Sequence, residues 1–160
     1  MGLLCDLFVN SLGVISMGLL CDLFVNSHDE ALAYESTTPL DRNARLKRFD
    51  PAEFKGLTSL EFGTLWAILA NEEWDPDKHM LIDVAFGEGN ESWLHQFQDE
   101  YVALLSKLDK NAVNTAAQAW SETEELSCSA DDVRPVVEAL VRLSQQSISQ
   151  RKGMYMWGSL

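Results

Sequence analysis

Apolar residues recur with helical spacing in four stretches of the chain. In each stretch they fall at positions i, i+3, i+4 and i+7, so they share one face of a helix. The four sets are Phe62, Leu65, Trp66 and Leu69; Tyr101, Leu104, Leu105 and Leu108; Val113, Ala116, Ala117 and Trp120; and Val133, Val136, Val137 and Leu140. The pattern therefore predicts four helices that pack through these faces.

The first of these helices is expected to lie deepest in the core. It spans Thr58–Asn71 and is apolar around most of its circumference, which is typical of a helix buried on more than one side. Thr58 is suited to cap its first turn, and Glu61 follows three residues later, as in a capping box. We expect the rest of the chain to cover this helix.

Shorter apolar segments bounded by turn residues predict a β-sheet. Leu19–Val25 is a candidate strand, and Leu81–Phe86 and Ser92–Phe97 flank a glycine-containing loop that is typical of a β-hairpin. The aromatic segment Met154–Trp157 is expected to pair with the first strand or with the hairpin. The predicted fold class is α+β: a small, mainly antiparallel sheet of N-terminal strand, central hairpin and C-terminal aromatic strand, with four to five helices packed on one side.

The connecting segments carry weaker signals. Ser27 precedes a sequence typical of a short helix, with Glu30 three residues later. Ser36–Pro51 is polar and is interpreted as a loop with a short extended piece at Arg45–Phe49. Because this segment is rich in arginine and lysine, we expect it to fold back onto acidic surface. Gly153 is expected to end the last helix as its C′ residue.

The segment MGLLCDLFVNS occurs twice without a change, at Met1–Ser11 and at Met17–Ser27. Structural repeats diverge in sequence and recur several times. We therefore interpret residues 1–16 as a duplicated N-terminal appendage, native or artificial, and residues 17–160 as a single α+β domain. Since both copies contain the same strand, they are expected to compete for one place in the sheet, and the spare copy to be disordered or to pair with an edge.

The formal net charge of the chain is −13. Such a surface repels nucleic-acid phosphates and anionic membranes and attracts a basic protein, although an acidic surface also serves solubility alone. No apolar run has the length of a membrane-spanning helix, and the N-terminus lacks the positive region of a signal peptide. The sparse cysteines, Cys5, Cys21 and Cys128, fit a reducing cytoplasm better than a disulfide framework.

Several segments resemble those of a known group of proteins. MGLLCDLFVNS with EALAY, the central GLTSLEFGTLWAIL and the closing GMYMWGSL are similar to segments of small bacterial proteins of unknown function, broadly the YfbM-like class. The resemblance covers most of Met17–Leu160 and implies a first strand, then helices, then an aromatic strand after a glycine. It implies no activity, because no catalytic residue set is associated with that class.

Two residues within predicted strands are candidates for chemistry. Asp22 interrupts an apolar strand, so it either faces solvent or has a buried partner, for instance an arginine between Arg42 and Arg48. His95 lies on the side of its strand that also carries Trp93 and Phe97. It is either a buried general base or a histidine bonded to the backbone, and the second interpretation is favoured.

Two further candidates, Glu122 and Glu125, lie close together after a predicted helix. Neighbouring carboxylates can serve acid–base chemistry, but such clusters usually face water. Asp75, Asp77 and His79 alternate in WDPDKH without the glycine and distal glutamate of a calcium loop, so they are interpreted as a solvated turn. No nucleotide-binding or nucleophile-elbow motif is present, and we expect no metal and no cofactor.

The function most consistent with these patterns is a non-catalytic, acidic, cytosolic protein-binding module for a basic partner, as an inhibitor or immunity-type protein would be. The alternative is a small enzyme whose carboxylate and histidine groups meet in a pocket between sheet and helices. A third hypothesis is self-association through an edge strand, through the aromatic strand or through the spare N-terminal copy.

Overall fold

A computed structural model describes residues 19–36, 42–126 and 128–160. The predicted N-terminal appendage, residues 1–16, lies outside the described residues. The described strands are β1 (Leu20–Asn26), β2 (Ala52–Lys55), β3 (Ile82–Phe86), β4 (Ser92–Gln96) and β5 (Gly153–Ser159). The described helices are α1 (His28–Ser36), α2 (Arg42–Phe49), α3 (Ser59–Ala70), α4 (Asp99–Ser106), α5 (Lys110–Ser121) and α6 (Ala130–Gln150).

The strands form one antiparallel sheet in the order β2-β1-β5-β4-β3. The C-terminal strand β5 is central, because Met156 pairs with Leu23 of β1 on one side and with His95 of β4 on the other. The sequence left two partners open for this strand, and the structure has both. The α+β class and the antiparallel sheet are thus confirmed, whereas the aromatic strand is not an exposed edge.

Helices cover both faces of this sheet. Leu23 and Met156 point into the larger core, which they share with α3, α4, α5 and α6. Their strand neighbours Phe24 and Tyr155 point to the other face, where α1 and α2 close a smaller aromatic core. The expectation that helices pack on one side was therefore wrong, because the second layer comes from α1 and from a segment interpreted as a loop.

Helix α3 lies at the centre of the larger core, as its apolar circumference predicted. The Thr58 and Glu61 capping box is present, and Phe62, Leu65 and Trp66 are buried. Two neighbouring helices bond to its backbone as well: Tyr101 Oη donates to the Phe62 carbonyl at 2.6 Å, and Trp120 Nε1 donates to the Glu61 carbonyl at 2.9 Å. These bonds satisfy polar groups that the apolar packing encloses.

Helix α6 begins at the predicted cap, where Ser129 accepts a hydrogen bond from the Asp132 N–H group. It does not end at Gly153 as predicted. The left-handed residue is Arg151, with φ 55° and ψ 45°, and Gly153 already belongs to β5. Gly153 is needed for another reason: a Cβ there would lie 2.7 Å from the Tyr155 ring.

Candidate functional site

A cleft of about 530 Å³ opens where the C-terminal end of α1 meets the ends of β3, β4 and β5. Its walls combine two kinds of side chain. The acidic ones are Glu35, Glu88 and Glu91, and the apolar ones are Leu32, Phe86 and Trp157. The cleft therefore offers negative charge beside apolar surface.

Glu35 is held in place by donors from two strands. Ser92 Oγ of β4 donates to Oε1 at 2.6 Å, and Trp157 Nε1 of β5 donates to Oε2 at 2.7 Å. Gly87 packs so closely that an added Cβ would overlap Ser92 Oγ and lie 2.7 Å from Glu35 Oε1. A carboxylate has about four acceptor positions, so this one keeps acceptor capacity for a ligand.

The electrostatic surroundings of the cleft are negative. Glu88 and Glu91 are exposed in the loop between β3 and β4. Glu35 lies in the last turn of α1, where the helix dipole adds partial negative charge. Of the described residues that line the cleft, none is lysine or arginine. A cation would find several acidic groups there and no positive competitor among those residues.

Behind the cleft lies a buried polar network on the same face of the sheet. The Arg45 guanidinium lies 4.3 Å from the Trp157 ring centroid and 5.0 Å from that of Tyr34. The Tyr34 hydroxyl donates to Asp22 Oδ2 at 2.5 Å. Burial, and then the neighbouring Asp22 charge, raise the pKa of Tyr34 well above its usual range, so the phenol stays protonated.

The structure places the candidate Asp22 in this network rather than in a catalytic pocket. Its side chain is buried, and Arg45 of α2 stacks on Tyr34, the tyrosine that bonds to it. Of the two alternatives for Asp22, a solvated face or a buried partner, the structure has the second, and Tyr34 is one such partner. Asp22 does not line the cleft that contains Glu35.

The candidate His95 lies on the opposite face of the sheet, in register with Met156 of the larger core. Its Nδ1 is 3.0 Å from Oδ1 of Asp83 on the edge strand β3. Burial lowers the pKa of His95, and Asp83 opposes part of that effect. Because they lie on opposite faces, Asp22 and His95 do not meet in one pocket.

The remaining candidates lie outside the sheet. Glu122 is exposed at the C-terminal end of α5 and accepts a hydrogen bond from Gln118 Nε2 at 2.6 Å, and Glu125 is half-buried. Neither lines the cleft that contains Glu35. The sequence-derived candidates are therefore dispersed over both faces of the sheet and a helix end.

The WDPDKH segment forms a turn, but its histidine is not solvated. Asp75 and Asp77 are exposed, and the Asp77 N–H donates to Asp75 Oδ1 at 2.9 Å. His79 is fully buried, and its Nδ1 accepts the Asp75 N–H at 2.9 Å. Within the described part of the chain, no group of three or more His, Cys, Asp or Glu side chains is arranged to hold a metal ion.

The residues that define the cleft were missed by the sequence reasoning. Glu35 is one of many glutamates, and no motif surrounds it. A weak signal was available: a carboxylate in the last turn of a helix is disfavoured by the helix dipole, so its position there invites another explanation. Alternation along the aromatic strand also places Tyr155 and Trp157 on one face together.

Comparisons with known proteins add no relative to this picture. No family model matches the chain, and neither a curated protein nor a solved structure matches it. Among the described residues, none of the helices combines the length and the apolar character needed to cross a membrane.

Proposed function

We propose that this chain is an acidic, cytosolic protein-binding module, inhibitor-like or immunity-type, whose cleft holds a lysine or arginine side chain of a basic partner. One observation carries the proposal: the Glu35 carboxylate is fixed by Ser92 and Trp157 while keeping acceptor capacity toward the cleft. A carboxylate that is already oriented loses less conformational freedom when a cation binds.

The cleft suits a long basic side chain better than a bare ion. Its volume of about 530 Å³ lies within the range of ligand sites. Leu32 and Phe86 provide apolar surface for the methylene stem of lysine or arginine, whose charged end would reach the glutamates. The net charge of −13 would also speed the encounter with a basic protein.

The test uses a capped peptide of four arginines as the probe, titrated calorimetrically at low salt. Glu35→Gln keeps the size of the side chain and removes its charge. Because a charge-assisted hydrogen bond is about twice as strong as a neutral one, we expect the affinity of this variant to fall about tenfold.

A matched pair of variants separates the cleft from the acidic surface in general. The double change Glu88→Gln and Glu91→Gln removes two charges from the cleft, and Glu73→Gln with Glu138→Gln removes two exposed charges elsewhere. The proposal expects the first pair to weaken binding clearly more than the second. Equal weakening by both pairs would mean diffuse attraction and would overturn the proposal.

The alternative of a small enzyme stays a prediction. Its candidate residues lie apart, and no contact among the described residues favours it over binding. Membership of the YfbM-like class likewise stays a prediction. Oligomerisation through edge strands now concerns β2 and β3, which are the two edges of the described sheet.

A further inference from the structure

Arg45 is buried although two of its side-chain nitrogens have no hydrogen-bond partner among the described residues. It is 2% exposed, which is rare for an arginine. Among the described residues, neither its Nε nor its Nη1 has a hydrogen-bond partner. The guanidinium lies against the faces of Trp157 and Tyr34, at 4.3 and 5.0 Å from the ring centroids.

Each of these rings also contacts a carboxylate at its polar edge. Trp157 donates its indole N–H to Glu35, and Tyr34 donates its hydroxyl to Asp22. An aromatic ring is negative on its face and positive at its edge, so a cation on the face and an anion at the edge both suit its charge distribution. Arg45 therefore links two carboxylates through two rings.

Of the two ring–carboxylate pairs in this network, only Trp157 and Glu35 line the cleft, whereas Tyr34 and Asp22 do not. A cation over the indole face withdraws electron density from the ring and makes its N–H a stronger donor. The 2.7 Å bond from Trp157 Nε1 to Glu35 Oε2 lies at the edge of the ring whose face Arg45 covers.

We propose that Arg45 is a positioning residue of the cleft, which acts through Trp157 to fix the Glu35 carboxylate toward a cationic ligand. The proposal rests on the proposed function for its purpose. The contact that it invokes, from cation to indole to carboxylate, can be measured without any ligand.

The first measurement is the Trp157 indole N–H resonance in ¹⁵N-labelled protein, assigned with Trp157→Phe. Arg45→Met should move the indole proton upfield and speed its exchange with solvent, because the hydrogen bond to Glu35 weakens. Arg45→Lys keeps the cation and should give an intermediate resonance. Arg48→Met is the control: Arg48 stacks on Phe49 in the same helix but has no contact with Trp157 among the described interactions.

The second measurement is the affinity for the capped four-arginine peptide. We expect Arg45→Met to weaken it about three- to tenfold, in line with the usual strength of a desolvated cation–π contact, and Arg45→Lys to restore part of the loss. An unchanged indole resonance and unchanged affinity in Arg45→Met would overturn the inference and leave the proposed function standing. A shifted resonance in a protein that never binds the peptide would support the inference and overturn the proposed function.

Should Arg45→Met fail to fold, variants of Trp157 and Tyr34 provide the test. Trp157→Phe keeps a ring under the guanidinium but removes the donor to Glu35, so it should weaken peptide binding. Tyr34→Phe removes the equivalent donor to Asp22 and should leave binding unchanged. Equal effects of the two variants on binding would contradict the role of Arg45.

Discussion

Gly63 lies in the middle of α3 because the backbone of another segment occupies the space where a side chain would begin. An added Cβ would overlap the His79 carbonyl oxygen and lie 3.3 Å from Trp74 Nε1. Alanine would favour the helix by about 1 kcal/mol, but overpacking costs about 1–3 kcal/mol. We expect Gly63→Ala to lower the free energy of unfolding, measured in urea.

The control for this prediction is Ala44→Gly at an exposed position of α2, which reports helix propensity without a clash. It should cost no more than about 1 kcal/mol. Stabilisation by Gly63→Ala would contradict the packing argument, since it would mean that the turn carrying His79 moves away freely.

The lowered pKa of His95 predicts that the stability of the protein depends on pH. Burial lowers the pKa of the folded histidine below its ordinary value of about 6.5, so the unfolded chain takes up a proton first as the pH falls. The stabilising contribution of His95 is therefore complete above about pH 6.5, the ordinary pKa of histidine. It is lost as the pH falls from about 6.5 through the lowered pKa of the folded state. The free energy of unfolding of the wild type should decrease in this window.

His95→Gln removes the titrating group, so its stability should change less than that of the wild type between pH 7.5 and 5.5. His28→Gln, at an exposed position, is the control and should keep the wild-type slope. Parallel curves for His95→Gln and the wild type, followed by urea unfolding at each pH, would show that His95 is not the source of the dependence.

At the residue scale, the surroundings of some side chains could be predicted from the sequence and those of others could not. Asp22 was predicted either to face solvent or to have a buried partner, because a charge inside an apolar strand needs water or a partner. Glu35 was missed because its role depends on Ser92 and Trp157, which are distant along the chain and meet only when the sheet forms. No local pattern encodes such a meeting.

At the element scale, α3 tests how far a buried hydrogen bond stabilises the core. Tyr101→Phe removes only the hydroxyl that donates to the Phe62 carbonyl. Because the Phe62 carbonyl lies inside the helix and keeps its helical bond, we expect only the net value of one hydrogen bond to be lost, about 0.5–1.5 kcal/mol in the free energy of unfolding. Tyr155→Phe is the matched control, because the Tyr155 hydroxyl has no hydrogen-bond partner among the described contacts, and it should be close to neutral.

The elements that were predicted correctly are those whose pattern is strong within a few turns. Helices α3 to α6 each repeat an apolar face, and the hairpin strands are separated by glycine-rich sequence. Helix α2 was missed because, among its described side chains, it buries only Arg45 and Phe49, and its polar composition is typical of a loop. Its place is determined by contacts with Tyr34 and Trp157, which its own sequence does not reveal.

At the scale of the whole molecule, the pairing of β1 within the sheet predicts the effect of removing residues 1–16. Strand β1 comes from the second copy of the repeat and is paired along its full length with β5, and with β2 on its other side. Its place is therefore already filled. We expect the shortened chain to melt within about 1 °C of the full chain in a thermal scan, since a contribution of even 1 kcal/mol would shift the midpoint by several degrees.

Light scattering of the same two proteins examines the hypothesis that the spare copy drives self-association. If it pairs with an edge of another molecule, the full chain should have the larger mass at high concentration. A fall of several degrees in the melting temperature of the shortened chain would contradict the argument that β1 is complete, because residues 1–16 would then contribute stabilising contacts.

The charge of the whole molecule gives opposite salt dependences for folding and for binding. With 25 acidic and 12 basic residues, the folded chain repels itself, and described pairs such as Arg48–Glu30 are too exposed to offset this strongly. Salt shortens the screening distance to about 10 Å at 0.1 M, so the melting temperature should rise from 10 to 300 mM NaCl.

The same screening weakens attraction between the acidic cleft and a cation, so affinity for the four-arginine peptide should fall over that range. A melting temperature that falls with salt would show that attractive ion pairs outweigh the repulsion, and an affinity independent of salt would show that the peptide binds through its apolar atoms.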